Sequence, residues 1–154
     1  MGRTFVDVEI ENYADILLRE TAGNGHKKIR KLQARALVDT GSALLCLHRA
    51  TIRRLGLRFA RSGRVRTGNG EVERPIYTAA RISILGRQCL AEVMEIPDSI
   101  PPLLGYILLE SLDLVVNAKS NKVVLNPESG GKFALDLLWR VEEGLCPQSY
   151  ARTL

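Results

Sequence analysis

Residues 64–77, RVRTGNGEVERPIY, set strand-forming side chains on both sides of an Asn69–Gly70 pair. Asn-Gly tolerates the positive φ that a type I′ turn demands, so this stretch predicts a β-hairpin. The rest of the chain adds further strands. TFVDVEIEN (4–12) alternates, with Val6, Val8 and Ile10 on one face and Asp7, Glu9 and Glu11 on the other. ADILLRE (14–20) is expected as a second strand, followed by a turn at TAGNGH (21–26). KKIRKLQARALVD (27–39) predicts a long strand with Leu32, Ala34, Ala36 and Val38 on one face. TAARISILGRQCLAEVMEI (78–96) predicts two strands joined at Leu85–Gly86–Arg87, and PDSIPP (97–102) a Pro-rich loop.

Helical signals are few. HRATIRRLGL (48–57) predicts a short helix with Gly56 near its end. LLGYILLESLDLVVN (103–117) turns at Gly105, continues with helical spacing through Leu108, Leu109 and Leu112, and closes as a strand. A turn at AKSNK (118–122) and a strand at VVLNP (123–127), stopped by Pro127, follow. Beyond the flexible break ESGGK (128–132), FALDLLWRVEEGL (133–145) predicts an amphipathic C-terminal helix. Many short strands with one or two short helices between them indicate an all-β fold, a closed barrel or sandwich.

At 154 residues the chain is one domain, and with 5% aromatic residues its core must come from Leu, Val, Ile and Ala. No apolar stretch approaches the roughly 18 residues that span a bilayer, so no membrane partner is expected. MGRTFVDVEI turns acidic before an apolar h-region forms, which argues against a signal peptide, and the C-terminus carries no lipidation box. Cys46, Cys89 and Cys146 are odd in number and far apart, which favours reduced thiols and a cytoplasmic setting. Cys46 and His48 form a C-x-H pair, but His26 is the only other histidine, so neither a metal nor a cofactor is expected. The net charge of +5 comes from Arg and Lys concentrated in residues 26–35 and 53–66, neither of which contains an acid. Without interleaved aromatics or a helix-turn-helix or zinc-finger pattern, they are read as solvated strand faces rather than a nucleic-acid surface.

The chemistry concentrates in ALVDTGSALLCL (36–47), where Asp39 ends an apolar strand and Thr40, Gly41 and Ser42 follow. The arrangement aims one carboxylate at the floor of a cleft. On the tripeptide alone an Asx turn capping the strand ranks first. Asp98, Asp113 and Asp136 lack this setting and are read as turn or surface residues. Ser42 and His48 make no hydrolase dyad, since G-x-S-x-G is absent, and Gly68–Asn69–Gly70 is no phosphate loop.

Three motifs in order alter the ranking. Leu37–Val38–Asp39–Thr40–Gly41–Ser42, the hairpin TGNGEVERP and Leu103–Leu104–Gly105 before YILLESLDLVVN together resemble the retropepsin-like aspartic proteases of clan AA. The match runs over roughly residues 28 to 127, and the chain is more similar to the small bacterial single-domain members than to the viral enzymes. The resemblance implies a protease domain at 1–127 and an extension, helical by its spacing, at 128–154. It implies a homodimeric endopeptidase in which two copies of Asp39 share a proton and activate a water against a peptide or protein substrate. Thr40, Gly41 and Ser42 are then the active-site loop, and Leu103, Leu104 and Gly105 the second active-site turn. Thr67, Gly68, Asn69 and Gly70 are the flap tip. The alternatives are a non-catalytic peptide-binding or dimerisation module of the same fold and, ranked lower, a basic nucleic-acid adaptor.

Overall fold

The computed structural model describes residues 3–22 and 28–135. The Asn-Gly turn expected over 21–26 falls mostly outside them. So do His26, Asp136, Cys146 and the expected C-terminal helix from residue 136 on, while Phe133–Leu135 carry no regular structure.

Alternation makes the barrel. Strands β1 (Phe5–Asn12), β2 (Lys31–Asp39), β3 (Leu45–His48), β5 (Gly70–Ile84), β6 (Arg87–Ile96) and β7 (Leu103–Gly105) join in the order β1-β2-β7-β3-β6-β5. Antiparallel pairing of β5 back onto β1 closes the ring, so the all-β expectation is met by a closed six-stranded barrel. Among the described residues strand β4 (Phe59–Thr67) pairs only with β5, and it projects from the ring as one arm of the expected hairpin. Val8, Ile10, Ala36, Leu45, Ile82 and Val93 are among the side chains turned into the core. Closure leaves no free edge within the ring.

Two features of the hairpin region differ from expectation. Thr67 pairs with Gly70, so the turn centres on Gly68 and Asn69, and at the tip only Gly70 has positive φ, at 116°. The turn with two positive-φ central residues lies instead between β5 and β6, at Leu85 (50°) and Gly86 (80°), with Ile84 and Arg87 paired. The strand after the tip does not stop at Tyr77. β5 runs on through a bulge between Tyr77 and Ala80, so one 15-residue strand serves both hairpin and barrel.

Residues 14–20, expected as a strand, lie in helix α1 (Tyr13–Ala22). The reason is Asn12. Its Oδ1 accepts from the N–H groups of Ala14 at 2.9 Å and Asp15 at 3.2 Å, capping the first turn of a segment rich in Ala, Leu, Arg and Glu. Its Nδ2 donates to the carbonyls of Leu55 (2.8 Å) and Gly56 (3.1 Å), at the end of helix α2 (Arg49–Leu55). Asp15, buried beside it, takes both Nε and Nη2 of Arg30 at 2.7 Å. Asn12→Ala is expected to cost about 2 kcal/mol, from the lost cap and two orphaned carbonyls, read as a lower urea midpoint. Glu11, expected on the solvent face, is buried because Arg81 on the facing strand engages its carboxylate at 2.7 Å.

After β7 come α3 (Tyr106–Ser111), β8 (Leu114–Asn117) and β9 (Lys122–Leu125), the last two pairing as a separate hairpin. The expected flexible break begins as a single 3-10 turn at Pro127–Ser129. Asp113, read as a turn or surface residue, is buried and has φ +48°. Its carboxylate meets Arg87 Nη1 at 2.9 Å, Asn126 Nδ2 at 2.8 Å and the Ala134 N–H at 3.2 Å. Arg87 also donates to the carbonyls of Leu112 and Lys132 and lies 5.5 Å from the centre of the Phe133 ring.

The Ser129 hydroxyl foremost, and with it these donors, hold the Asp113 carboxyl at about 2, below its ordinary 3.8, against the opposing effect of burial. A depressed folded pKa stabilises the fold above the unfolded value and ceases to do so as pH falls through the folded one. The thermal midpoint is therefore expected to drop on acidification between about pH 4 and 2. Asp113→Asn keeps a residue that tolerates positive φ. It should melt lower than wild type at pH 7, and the gap should close by about pH 2.

Candidate active site

Strand order builds the site. β7 lies between β2 and β3, parallel to the first (Leu37↔Leu103, Asp39↔Gly105) and antiparallel to the second (Leu45↔Leu104). The chain leaving β2 must therefore pass over the end of β7 to reach β3, and residues 40–44 make that crossing. The crossing is tied down from below. Gly105 N–H donates to the Leu44 carbonyl at 3.1 Å and Tyr106 N–H to the Ser42 carbonyl at 2.8 Å. A Cβ at Gly105 would stand 2.4 Å from the carbonyl carbon of Ala43 and 2.7 Å from the Leu44 nitrogen. Backbone meets backbone there, so only glycine fits.

Asp39 is half-buried at the last position of β2. Its Oδ1 accepts from the Gly41 N–H at 3.0 Å and its carbonyl from the Ser42 N–H at 3.0 Å. The Asx turn expected from the tripeptide is thus present, while the cleft beside the loop is lined from Gly41 onward and not by Asp39 or Thr40. Thr40 is exposed at the crest of the loop. Ser42 Oγ lies 3.4 Å from the Sγ of Cys46, whose buried position raises its thiol pKa. Cys46 packs in the core, and His48 ends β3 at the N-cap position of α2, its Nε2 2.7 Å from the Ile100 carbonyl.

A cleft of about 750 Å³ separates this loop from the β4–β5 hairpin. Gly41, Ser42, Ala43 and Leu44 form one side, with Ile76 and Met94 as apolar lining. The hairpin side carries Arg61, Arg64, Arg66 and Glu71. Loop and hairpin, some twenty residues apart in sequence, therefore face one space. The four tip residues do not line it. Thr67 Oγ1 donates to the Gly70 carbonyl at 2.8 Å, and nothing lies within 4 Å of where a Cβ would stand on Gly68 or Gly70. Of the second turn, Leu104 is buried, Leu103 is half-buried, and Gly105 holds the loop from beneath.

Sequence reasoning missed the lining residues Leu44, Arg61, Ile76 and Met94. The β4–β5 register decides which hairpin residues face the loop, and a bulge between Phe59 and Arg61 breaks the simple alternation that would have revealed it. Tyr77 sits at the hairpin base, edge-on to Phe59 with ring centres 6.3 Å apart. Its hydroxyl donates to Glu95 at 2.5 Å, which raises its pKa, with burial adding to the effect. Among the described residues no group of three or more His, Cys, Asp or Glu is placed to hold a metal, and no helix is long and apolar enough to cross a membrane.

A family profile described as aspartyl protease matches residues 24–108, more than half of the chain. The matched span takes in the Asp39 loop, the hairpin and the Leu103–Gly105 turn. No curated protein matches the chain.

Proposed function

The chain belongs to the retropepsin-like aspartyl proteases, and from that premise we propose that it is an endopeptidase working as a homodimer, with residues 1–127 as the catalytic domain. The observation that carries the proposal is the Asp39 loop held over Gly105 beside a cleft roofed by a hairpin. One chain supplies one such carboxylate. Asp39 stands next to the Gly41–Leu44 side of the cleft, and among the described residues the one acid lining the cleft itself is Glu71, which faces Arg66 at 3.3 Å. A second copy of Asp39 from a partner subunit completes the pair.

Two carboxylates held that close do not both ionise cheaply, so they share one proton. The ionised member takes a proton from a bound water, and the water oxygen attacks the scissile carbonyl carbon. The protonated member donates to the carbonyl oxygen as negative charge develops there. Collapse of the tetrahedral species breaks the C–N bond, and the amine leaves with a proton. In this reading the exposed Thr40 hydrogen-bonds across the dimer, and the Gly68–Asn69–Gly70 tip closes over bound peptide and excludes water. The separated thiols support a cytoplasmic setting.

The test incubates the full chain and its Asp39→Ala variant with a diverse peptide library across pH, read by mass spectrometry, with light scattering for oligomeric state. Cleavage confined to the wild-type dimer supports the proposal. Equal cleavage by both proteins, or an active protein that stays monomeric, overturns it. Peptide binding without cleavage by a dimeric wild type would assign the chain to a non-catalytic module.

A further inference from the structure

The two sides of the cleft differ in charge. The loop side is small and neutral, Gly41, Ser42, Ala43 and Leu44, while the hairpin side carries Arg61, Arg64 and Arg66 against the single carboxylate of Glu71. The imbalance extends along the hairpin, since residues 58–74 contain five arginines and two glutamates. The pairing is uneven. Arg61 is committed to Glu92 at 2.5 Å. Arg66 reaches Glu71 at 3.3 Å, and Arg64 only approaches the same carboxylate at 4.0 Å. Among the described residues no other carboxylate lies within 4 Å of either, so two guanidinium groups divide one negative charge. Both are largely in solvent, at 81% and 91% exposure, and free to turn toward bound peptide.

An extended peptide sends successive side chains to opposite faces, so every second one meets the hairpin. From this we infer that the enzyme selects peptides carrying Asp or Glu on the side chains that face the hairpin, with Arg64 and Arg66 as the recognising residues. Guanidinium groups pair bidentately with carboxylates, and the neutral loop side offers no competing cation. In the homodimer the two-fold axis repeats the arginines at the other end of the cleft. The favoured substrate is therefore acidic on both sides of the cleaved bond. The inference rests on the endopeptidase reading of this cleft and adds its substrate class.

The experiment uses the full chain carrying Asp39→Asn, so that the probe is not consumed. Fluorescent peptides of equal length, with Glu, Gln or Lys at alternate positions, are titrated by anisotropy at low and high salt. The Glu peptide is expected to bind roughly three- to tenfold more tightly than the Gln peptide at low salt, and the difference should shrink at high salt. Adding Arg64→Ala and Arg66→Ala together, both exposed and so tolerated by the fold, should bring the ratio to about one. Equal affinities, a preference for Lys, or a Glu preference that survives the double substitution overturns the inference. Tighter binding of single-stranded DNA than of the Glu peptide, lost on the same substitutions, also overturns it by assigning the guanidinium groups to phosphates. Because binding is read without turnover, the two proposals fail separately. A Glu preference in a protein whose wild type cleaves nothing removes the endopeptidase reading, whereas cleavage without acidic selection removes this inference alone.

Discussion

Asp39→Asn is expected to lower kcat/KM for peptide hydrolysis by at least about 10³-fold, while leaving the fold intact. The two effects separate because the carboxylate has two roles. Structurally it is an acceptor for the Gly41 N–H at 3.0 Å, and an Asn side-chain oxygen accepts that bond equally well. Chemically it is proposed to take a proton from water and, in its partner copy, to donate one. An amide does neither at ordinary pH. The urea midpoint of Asp39→Asn should therefore stay within about 1 kcal/mol of wild type, and its dimer should persist. Asp39→Ala, which removes the acceptor as well, should be as inactive and somewhat less stable. Wild-type activity should peak on the acid side of neutral, with two apparent pKa values belonging to the pair rather than to either carboxyl. A profile that rises steadily to alkaline pH, or residual activity of Asp39→Asn near that of wild type, would end the proposal.

Gly105→Ala is the second large effect, and it acts on stability first. The added methyl would lie 2.4 Å from the Ala43 carbonyl carbon and 2.5 Å from its oxygen, and both neighbours are backbone. No side-chain rotation relieves that contact. The loop must lift or β7 must shift, and either movement breaks the bonds from Gly105 to Leu44 and from Tyr106 to Ser42. A cost of about 3 kcal/mol or more follows, read as a lowered denaturant midpoint. What remains folded should have lost hydrolysis, because Asp39 and Gly105 are register partners and the lifted loop carries the carboxylate with it. Gly41→Ala makes a useful contrast. Its methyl meets only the Asp39 carboxyl group, Oδ1 at 3.2 Å and Cγ at 4.0 Å, so it should disturb the carboxylate while costing much less stability. If Gly105→Ala were as stable and active as wild type, the loop's dependence on this close approach would be wrong.

The legible parts of the chain were those governed by local physics. Val8 and Ile10 alternate because one face of a strand is buried, and that pattern is written in consecutive residues. Gly56 ends α2 in the left-handed region, as a glycine after helical spacing suggests. The Asp39–Thr40–Gly41 loop, the hairpin and the Leu103–Leu104–Gly105 turn were each recognisable as short stretches. The errors came where a distant partner overrode local preference. Residues 14–20 have apolar residues that suit a strand, but Asn12 caps them into a helix and docks its amide on Leu55 and Gly56. Glu11 and Asp113 read as solvent-facing, yet Arg81 and Arg87 arrive from other strands and allow both to be buried.

By itself the sequence determined the β class, the carboxylate-bearing loop and the family, because alternation, turn chemistry and short motifs are local properties of the chain. Only the tertiary structure decided that β7 enters between β2 and β3, so that the loop must cross over Gly105. The same structure showed that the hairpin presents its arginine-bearing strand β4 to the cleft, not its tip. Those outcomes depend on strand order and register between segments tens of residues apart. Ring closure and buried contacts select among pairings that local pattern leaves equally open.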